Sequence, residues 1–268
     1  MKVEKFTIKE IMYMMQQRQL SDETVEKLQK DSRITVVKLI NKWVKEQKKS
    51  LTESQRIQKM YVYEQEFYNN GFELVAGVDE AGRGALAGPV VVGAVILFKH
   101  CYLPLLNDSK QLTAVQRDRL YSSIQDQAIA IGHEVIDSAI VDKKNIYQAT
   151  VDGMYGAINQ LPVKPEAVLI DAIPLSRLAI PSKAIIGGDT VSATIAAASI
   201  IAKVTRDRLM KEYDKLYPQY GFAYHKGYGT KEHFGALKKW GPCPIHRRTF
   251  EPVKSMVSCE LFSLPFDG

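Results

Sequence analysis

The sequence predicts an α/β fold, a mixed β-sheet flanked by helices, preceded by a small all-helical N-terminal module. Three observations carry this reading. The first 70 residues contain no proline and no glycine, a composition that permits almost continuous helix. From Leu74 onward, short runs rich in valine and isoleucine replace that texture. Two such runs follow one another directly before apolar runs and helical stretches begin to alternate, the pattern of a mixed sheet with helices on its faces.

The elements follow in chain order. Thr7 and Glu10 have the form of a capping box, and Ile8, Ile11, Met12 and Met15 repeat behind them at helical spacing. A second short helix starts at Ser21, with Val25 and Leu28 apolar. A third keeps Val36, Val37, Ile40, Trp43 and Val44 on one stripe and places Lys38, Lys42, Lys45, Lys48 and Lys49 elsewhere. A fourth runs from about Thr52 to a stop at Asn69-Asn70-Gly71. Strands are expected at Leu74–Asp79, Pro89–Phe98, Ala128–Ile136, Ala167–Asp171 and Lys183–Ile186. Helices are expected near Ala114–Gln125, Lys144–Gln160 and Thr190–Leu216. The resulting division is a helical module over 1–70, an α/β domain over 71–253 and a tail over 254–268.

Composition narrows the function. Of 268 residues, 46% are hydrophobic, 25% charged and 9% aromatic, as in a folded globular protein. The longest nearly unbroken apolar stretch, Gly88 to Phe98, is about half of what a membrane span needs, and the start Met1-Lys2-Val3-Glu4-Lys5 opens no signal region. Cys101, Cys243 and Cys259 stand at unrelated spacings. The expectation is a cytoplasmic protein, with no membrane partner and with cysteines serving as packing residues. Lysine and arginine exceed the acids by 36 to 30, for a net charge of +6. Residues 1–70 hold fourteen of those cations against ten acids. The excess favours a polyanionic partner, and a solubility role is the competing reading. The lysine faces of the module have the same two readings, a grip on a phosphate backbone or a solvated helix surface.

Four acids stand at element ends. Asp79-Glu80 closes the run Val75-Ala76-Gly77-Val78, Asp171 closes Ala167-Val168-Leu169-Ile170, and Asp189 follows Gly187-Gly188 ahead of an alanine-rich helix. Strand neighbours point to opposite faces, so Asp79 and Glu80 reach one side only if the strand ends between them, a break that Ala81-Gly82-Arg83-Gly84 can supply. The C-terminal edge of such strands is the usual location of sites in α/β sheets. Asp189 can instead be an N-cap near Ser192, and Asp171 a turn residue. The adjacent carboxylates Asp79 and Glu80 repel each other unless a cation neutralises them. Together the four imply an oxygen-ligand site for Mg²⁺ or Mn²⁺, while the five histidines form no H-x-x-x-H or H-x-H zinc pattern. Mg²⁺ ions bridging carboxylates in a basic protein suit two-metal phosphodiester hydrolysis. No G-x-x-x-x-G-K-[ST] supports nucleotide hydrolysis of the P-loop kind.

Several segments resemble the ribonuclease HII family. They are Gly77-Val78-Asp79-Glu80-Ala81-Gly82-Arg83-Gly84, Gly88-Pro89-Val90-Val91, Asp108-Ser109-Lys110-Gln111-Leu112, Ile170-Asp171, Gly188-Asp189, Ala197 to Asp207, Lys226-Gly227-Tyr228-Gly229-Thr230 and His246-Arg247-Arg248-Thr249-Phe250. The resemblance spans about Leu74 to Val253 and does not obviously include residues 1–70. It implies an RNase H-like fold and an endonuclease acting on RNA·DNA hybrids and on ribonucleotide-containing duplex DNA. Cleavage is expected 5′ of the ribonucleotide, leaving a 3′-hydroxyl and a 5′-phosphate. It implies that Asp79, Glu80, Asp171 and Asp189 bind the metal, that Gly82-Arg83-Gly84 recognises the 2′-hydroxyl, and that Tyr228 stacks at the junction. A surface salt bridge for Arg83 and rim packing for Tyr228 are the plainer alternatives.

Further substrate contacts are expected from the helix after Asp189. Ser192, Ala196, Ser199, Lys203 and Arg206 fall on one face, which can lie along a phosphate backbone or pack on a sheet. Asp207 is expected to pair with a nearby cation. Lys110 and Arg247-Arg248 are phosphate contacts or solvated surface. The competing functions are a non-catalytic nucleic-acid binder of the same fold, ribonuclease HIII and a resolvase. The Gly82-Arg83-Gly84 triplet and Lys226-Gly227-Tyr228 favour ribonuclease HII over these. A monomer is expected, and Leu261-Phe262 or Leu264-Pro265-Phe266 is a weak sliding-clamp peptide candidate, because short hydrophobic tails usually fold back on their domain.

Overall fold

The computed structural model describes residues 6–262. Two compact units divide between Arg56 and Ile57. In the first, α1 (Ile8–Gln16) carries the expected capping box of Thr7 and Glu10, and α2 (Asp22–Gln29) is capped by Ser21, which accepts from the Thr24 N–H. The first half of α3 (Ile34–Lys59) completes a small core of Ile11, Leu28, Val36 and Ile40. Lys38, Lys42, Lys45, Lys48 and Lys49 are exposed, as their spacing predicts.

Thr52 does not begin a new helix. Its hydroxyl donates to Lys48 O at 2.9 Å, and α3 continues through it to Lys59. The break falls at Met60-Tyr61, where the Met60 carbonyl accepts the Ala193 N–H at 2.9 Å instead of continuing a helical ladder. α4 (Val62–Asn69) then runs to Asn70 and Gly71.

The second unit is built on five strands, β1 (Val75–Ala81), β2 (Val90–Leu97), β3 (Ala128–Ile136), β4 (Ala167–Asp171) and β5 (Ser182–Ile185). Their order is β3-β2-β1-β4-β5. β2 pairs antiparallel with β1 and β3, whereas β1, β4 and β5 run parallel, so the sheet is mixed. On one face Val75, Val95, Leu97 and Leu169 pack against α5 (Ala114–Gln127) and α9 (Ala193–Leu216). On the other, Ala76, Val78, Ala94, Val168 and Ile170 pack against α7 (Ile146–Asn159).

The expected Lys144–Gln160 helix is α7, which starts at Ile146 because Asn145 takes φ 68° and its side chain caps it, accepting from Gln148 N at 3.0 Å; α6 (Ser138–Lys144), which the sequence reading does not anticipate, precedes it. Thr190–Leu216 splits into α8 (Gly188–Val191) and α9 at Ser192, which caps α9 through the Ile195 N–H. A buried carboxylate strengthens this start: Glu64 Oε1 accepts from Ser192 Oγ, Thr194 N and Thr194 Oγ1 at 2.7–2.8 Å, where the helix N-terminus favours negative charge. Three later helices, α10 (Phe222–His225), α11 (Lys231–Trp240) and α12 (Val253–Phe262), follow. α12 occupies the start of the expected tail. Leu264-Pro265-Phe266 lies outside the described residues. Among the described residues no helix is long and apolar enough to cross a membrane.

The alanine-rich α9 lies close on the sheet because Gly77 has no side chain there. A Cβ at Gly77 would stand 2.0 Å from the Thr194 carbonyl carbon. Gly77→Ala is expected to push α9 off β1 and to cost on the order of 3 kcal/mol, measurable by urea unfolding; an unchanged midpoint would contradict this packing.

Candidate active site

Three acids meet where β1 and β4 end. One step beyond the pair Val78 and Ile170, Asp79 falls beside Asp171. The strand does not break between Asp79 and Glu80. β1 continues, with Glu80 paired to Val92 and Ala81 to Val91. Strand alternation therefore sends Asp79 to the α9 face and Glu80 to the α7 face. Both still line one cleft of about 540 Å³ around the strand ends, together with Asp171, Gly82, Arg83, Gly84, Ser109, Lys110, Arg117, Ser199, Lys203 and Tyr228.

Each acid has a distinct environment. Asp79 is 4% exposed, hydrogen-bonded to Ser199 and to the Glu80 N–H at 2.7 Å. Burial, then the charges of Glu80 and Asp171, raises its pKa well above the ordinary carboxylate value. Burial also raises Glu80, against the pull of Arg83, whose Nη1 lies 3.5 Å from Oε1. Asp171 Oδ1 accepts the Gly188 N–H at 2.7 Å, which ties β4 to the α8 turn carrying Asp189.

Asp189 is buried but does not itself line the cleft. Its Oδ2 lies 3.5 Å from Lys110 Nζ. Its pKa is raised by burial and by Asp108, which also stands 3.8 Å from Lys110. Burial works against the Lys110 charge, but Asp108, Asp189 and Asp79 outweigh it and raise its pKa. Asp189 is not the N-cap of the following helix, a role that belongs to Ser192.

These residues suit a hard cation. Every acidic ligand candidate presents oxygen, and no histidine or cysteine lines the cleft. Glu80 Oε2 is buried without a hydrogen-bond partner, an anionic oxygen that costs free energy until something positive meets it. Among the described residues the acids stand as neighbours and do not form a closed metal-binding cage.

The expected substrate face of α9 is only partly present. Ser192 and Ala196 are buried, and Arg206 is fully buried against the Ala87 and Pro89 carbonyls. Close packing on the sheet has taken their side. Ser199 and Lys203 do reach the cleft. Ser199 Oγ lies 3.0 Å from Ser109 Oγ, and Lys203 pairs with Asp207 at 2.7 Å, the cation partner expected of Asp207. Tyr228 is 38% exposed, its ring 5.4 Å from the Arg206 guanidinium carbon.

Arg247 is not a phosphate contact. It is fully buried and bonded to backbone carbonyls, because the Gly82 to Gly88 loop closes over it. Arg248 is exposed, and its N–H is bound to Asp142. Asp108 and Arg117 also bear on the cleft, and no sequence pattern marks either for a role. Asp108 sits in the Asp108 to Leu112 segment and caps the short turn that carries Lys110. Arg117, from α5, donates to Ser109 O at 2.8 Å, a contact with no sequence signal.

A histidine relay holds the Tyr228 segment. The Tyr228 carbonyl can only accept, so His233 Nδ1 donates to it at 3.0 Å and His233 Nε2 is left as an acceptor. His246 Nε2 then donates to His233 Nε2 at 3.0 Å, while His246 Nδ1 accepts the Cys243 N–H at 2.9 Å. Both rings must be neutral for this chain to exist. Burial holds His233 at about 4 and, with the charge of His233, holds His246 at about 4, below the ordinary 6.5. The unfolded chain therefore binds more protons, so the relay's contribution is complete above pH 6.5 and is lost as pH falls toward 4. Each unit of depression is worth about 1.4 kcal/mol. Urea unfolding at several pH values should show a fall across this window that flattens in His246→Gln; an equal fall in the variant would remove the relay from the account.

The comparisons agree with this architecture. The model of the family described as Ribonuclease HII matches residues 76–253, and that of the Ribonuclease HII N-terminal domain matches residues 7–68. Ribonuclease HII of Enterococcus faecalis is 51% identical over 237 residues, 88% of this chain and 92% of that protein. Ribonuclease HII of Bacillus cytotoxicus is 46% identical over 258 residues, 96% of this chain and 99% of that protein. Among solved structures, ribonuclease H2 from Pyrococcus horikoshii matches with a TM-score of 0.60 at 28% identity, covering 69% of this chain and 97% of that one. The Archaeoglobus fulgidus protein in a PCNA:RNase HII complex matches with a TM-score of 0.57 at 27% identity, covering 66% of this chain and 95% of that one. With its mixed sheet, its acids at adjacent strand ends and these relatives, the chain belongs to the ribonuclease HII family and is a ribonuclease H enzyme.

Proposed function

We propose that this ribonuclease of RNA–DNA hybrids cuts on the 5′ side of a ribonucleotide at the RNA–DNA junction, leaving a 3′-hydroxyl and a 5′-phosphate. Its substrates are longer hybrids and single ribonucleotides embedded in duplex DNA. The observation that carries the reading is one cleft that joins Asp79, Glu80 and Asp171 to the Gly82-Arg83-Gly84 loop and Tyr228. An acid cluster alone suits any divalent-cation nuclease. A backbone loop and an aromatic ring beside it add the means to recognise a ribose.

Asp79, Glu80, Asp171 and Asp189 are the residues that would hold Mg²⁺ or Mn²⁺. Held there, two such ions would activate a water and neutralise charge at the leaving oxygen. The chain's own residues do the rest. Ser199 fixes the Asp79 carboxylate, and the Gly188 N–H fixes that of Asp171. Lys203 and Lys110 bring cations to the cleft wall, where a phosphate needs them. Tyr228 offers a ring on which a base can stack.

Cleavage of a duplex with one ribonucleotide, mapped to the nucleotide in Mg²⁺, in Mn²⁺ and in EDTA beside an all-DNA control, tests this. A metal-dependent cut immediately 5′ of the ribonucleotide is expected. Cutting only of longer hybrids, or none, would overturn the junction assignment.

A further inference from the structure

Two arginines are wholly buried in the sheet-containing unit, and neither forms an ion pair among the described residues. Their partners are backbone carbonyls. Arg206 Nε donates to Pro89 O at 2.8 Å and its Nη2 to Ala87 O at 3.1 Å. Arg247 spans three carbonyls: Nη1 to Arg83 O at 2.8 Å, Nη2 to Gly82 O at 2.7 Å, and Nε and Nη2 to Gly88 O at 3.1 and 2.9 Å. Burying an unpaired guanidinium is costly. The fork is kept here for what it does to the loop.

In a trans peptide the C=O and the following N–H lie in one plane and point in opposite directions. With the Gly82 and Arg83 carbonyls drawn inward to Arg247, the N–H groups of Arg83 and Gly84 turn away from it. Neither N–H donates to a protein acceptor among the described residues, although Gly82, Arg83 and Gly84 line the cleft. The loop cannot relax by settling deeper. Gly82 sits at φ +92°, and a Cβ there would stand 1.9 Å from Arg206 Nε.

We infer that Arg247 is the positioning residue for ribose recognition, aiming the Arg83 and Gly84 N–H groups as paired donors at the 2′-oxygen of a ribonucleotide. This rests on the reading of Gly82-Arg83-Gly84 as the ribose loop and assigns that loop its support. A ribose satisfies the two donors, whereas a deoxyribose leaves them desolvated and unpaired. Lysine cannot replace Arg247, because one ammonium cannot span three carbonyls in the fixed plane of a guanidinium.

The test uses the full chain and duplexes that differ only by ribose or deoxyribose at one position, with binding measured in EDTA so that no strand is cut. Wild type should prefer the ribose duplex. In Arg247→Lys that preference should fall about tenfold, with all-DNA binding unchanged, a split that a general loss of structure would not produce. A folded Arg247→Lys with wild-type preference overturns the inference. Gly84→Pro, which deletes one donor and leaves Arg247 intact, gives a second route if Arg247→Lys fails to fold. Loss of the preference there supports the inference, and its retention overturns it. A wild type with no ribose preference removes the ribose-loop reading itself, and this inference with it.

Discussion

Asp79→Asn should abolish cleavage while leaving the fold intact. The substitution keeps the shape of the side chain, including an oxygen able to accept from Ser199, and removes one charge from a site where burial, Glu80 and Asp171 all oppose it. On the proposed two-metal reading, loss of the Asp79 carboxylate corresponds to several kcal/mol of transition-state stabilisation, on the order of a 10³-fold fall in single-turnover rate. Stability should move the other way. The native protein carries the repulsion of Asp79, Glu80 and Asp171, and removing one charge relieves it, so Tm of the metal-free protein should rise by roughly 2–4 °C for each kcal/mol relieved. A slow enzyme that is also less stable would show a structural role for Asp79. Near-normal turnover in Mg²⁺ would remove Asp79 from the reaction.

Tyr228→Ala should carry the second large effect. The ring is partly exposed at the cleft and sits over the Arg206 and Lys203 side chains, so its removal takes away a stacking surface without emptying the core. Stacking of one base on an aromatic ring is worth about 1–3 kcal/mol, or roughly 5- to 150-fold. Single-turnover cleavage of a duplex with one ribonucleotide should fall within that range in Tyr228→Ala and recover in Tyr228→Phe, which keeps the ring. Stability should change by less than about 0.5 kcal/mol in either variant. Equal losses for alanine and phenylalanine would place the function in the hydroxyl and contradict the stacking role.

The parts of the site legible in the sequence are those governed by local pattern. An apolar strand that ends in an acid is visible from composition, and Asp79 and Asp171 become neighbours because β1 and β4 are parallel partners in register. The strands, the caps at Thr7 and Ser21 and the buried alanine face of α9 follow from equally local chemistry. What was not legible depends on distant partners. The break at Met60 is set by the Ala193 N–H, and the start of α7 by a positive φ at Asn145 that no periodicity announces. Arg247 reads as a phosphate contact or solvated surface because arginine is usually exposed, and the face that carries Arg206 reads as one that lies along a phosphate backbone or packs on the sheet. Their carbonyl partners lie 117 to 165 residues away in the chain, so only the fold reveals that they support the loop from inside. Glu80 shows the same limit. Its place follows from β2 remaining paired as far as Ala81, which keeps the alternation of the strand intact.

The central claim is that the carboxylates of this cleft hold the divalent cations of hydrolysis. It is tested most directly by titrating wild type, Asp79→Asn and Asp171→Asn with Mn²⁺ in the presence of an all-DNA duplex, reading free Mn²⁺ by electron paramagnetic resonance. Wild type should capture Mn²⁺ that both variants leave free, with the deficit in each variant matched by its loss of cleavage on the ribonucleotide duplex. Equal capture by all three proteins would contradict the claim and move the metal, and the chemistry with it, away from Asp79 and Asp171.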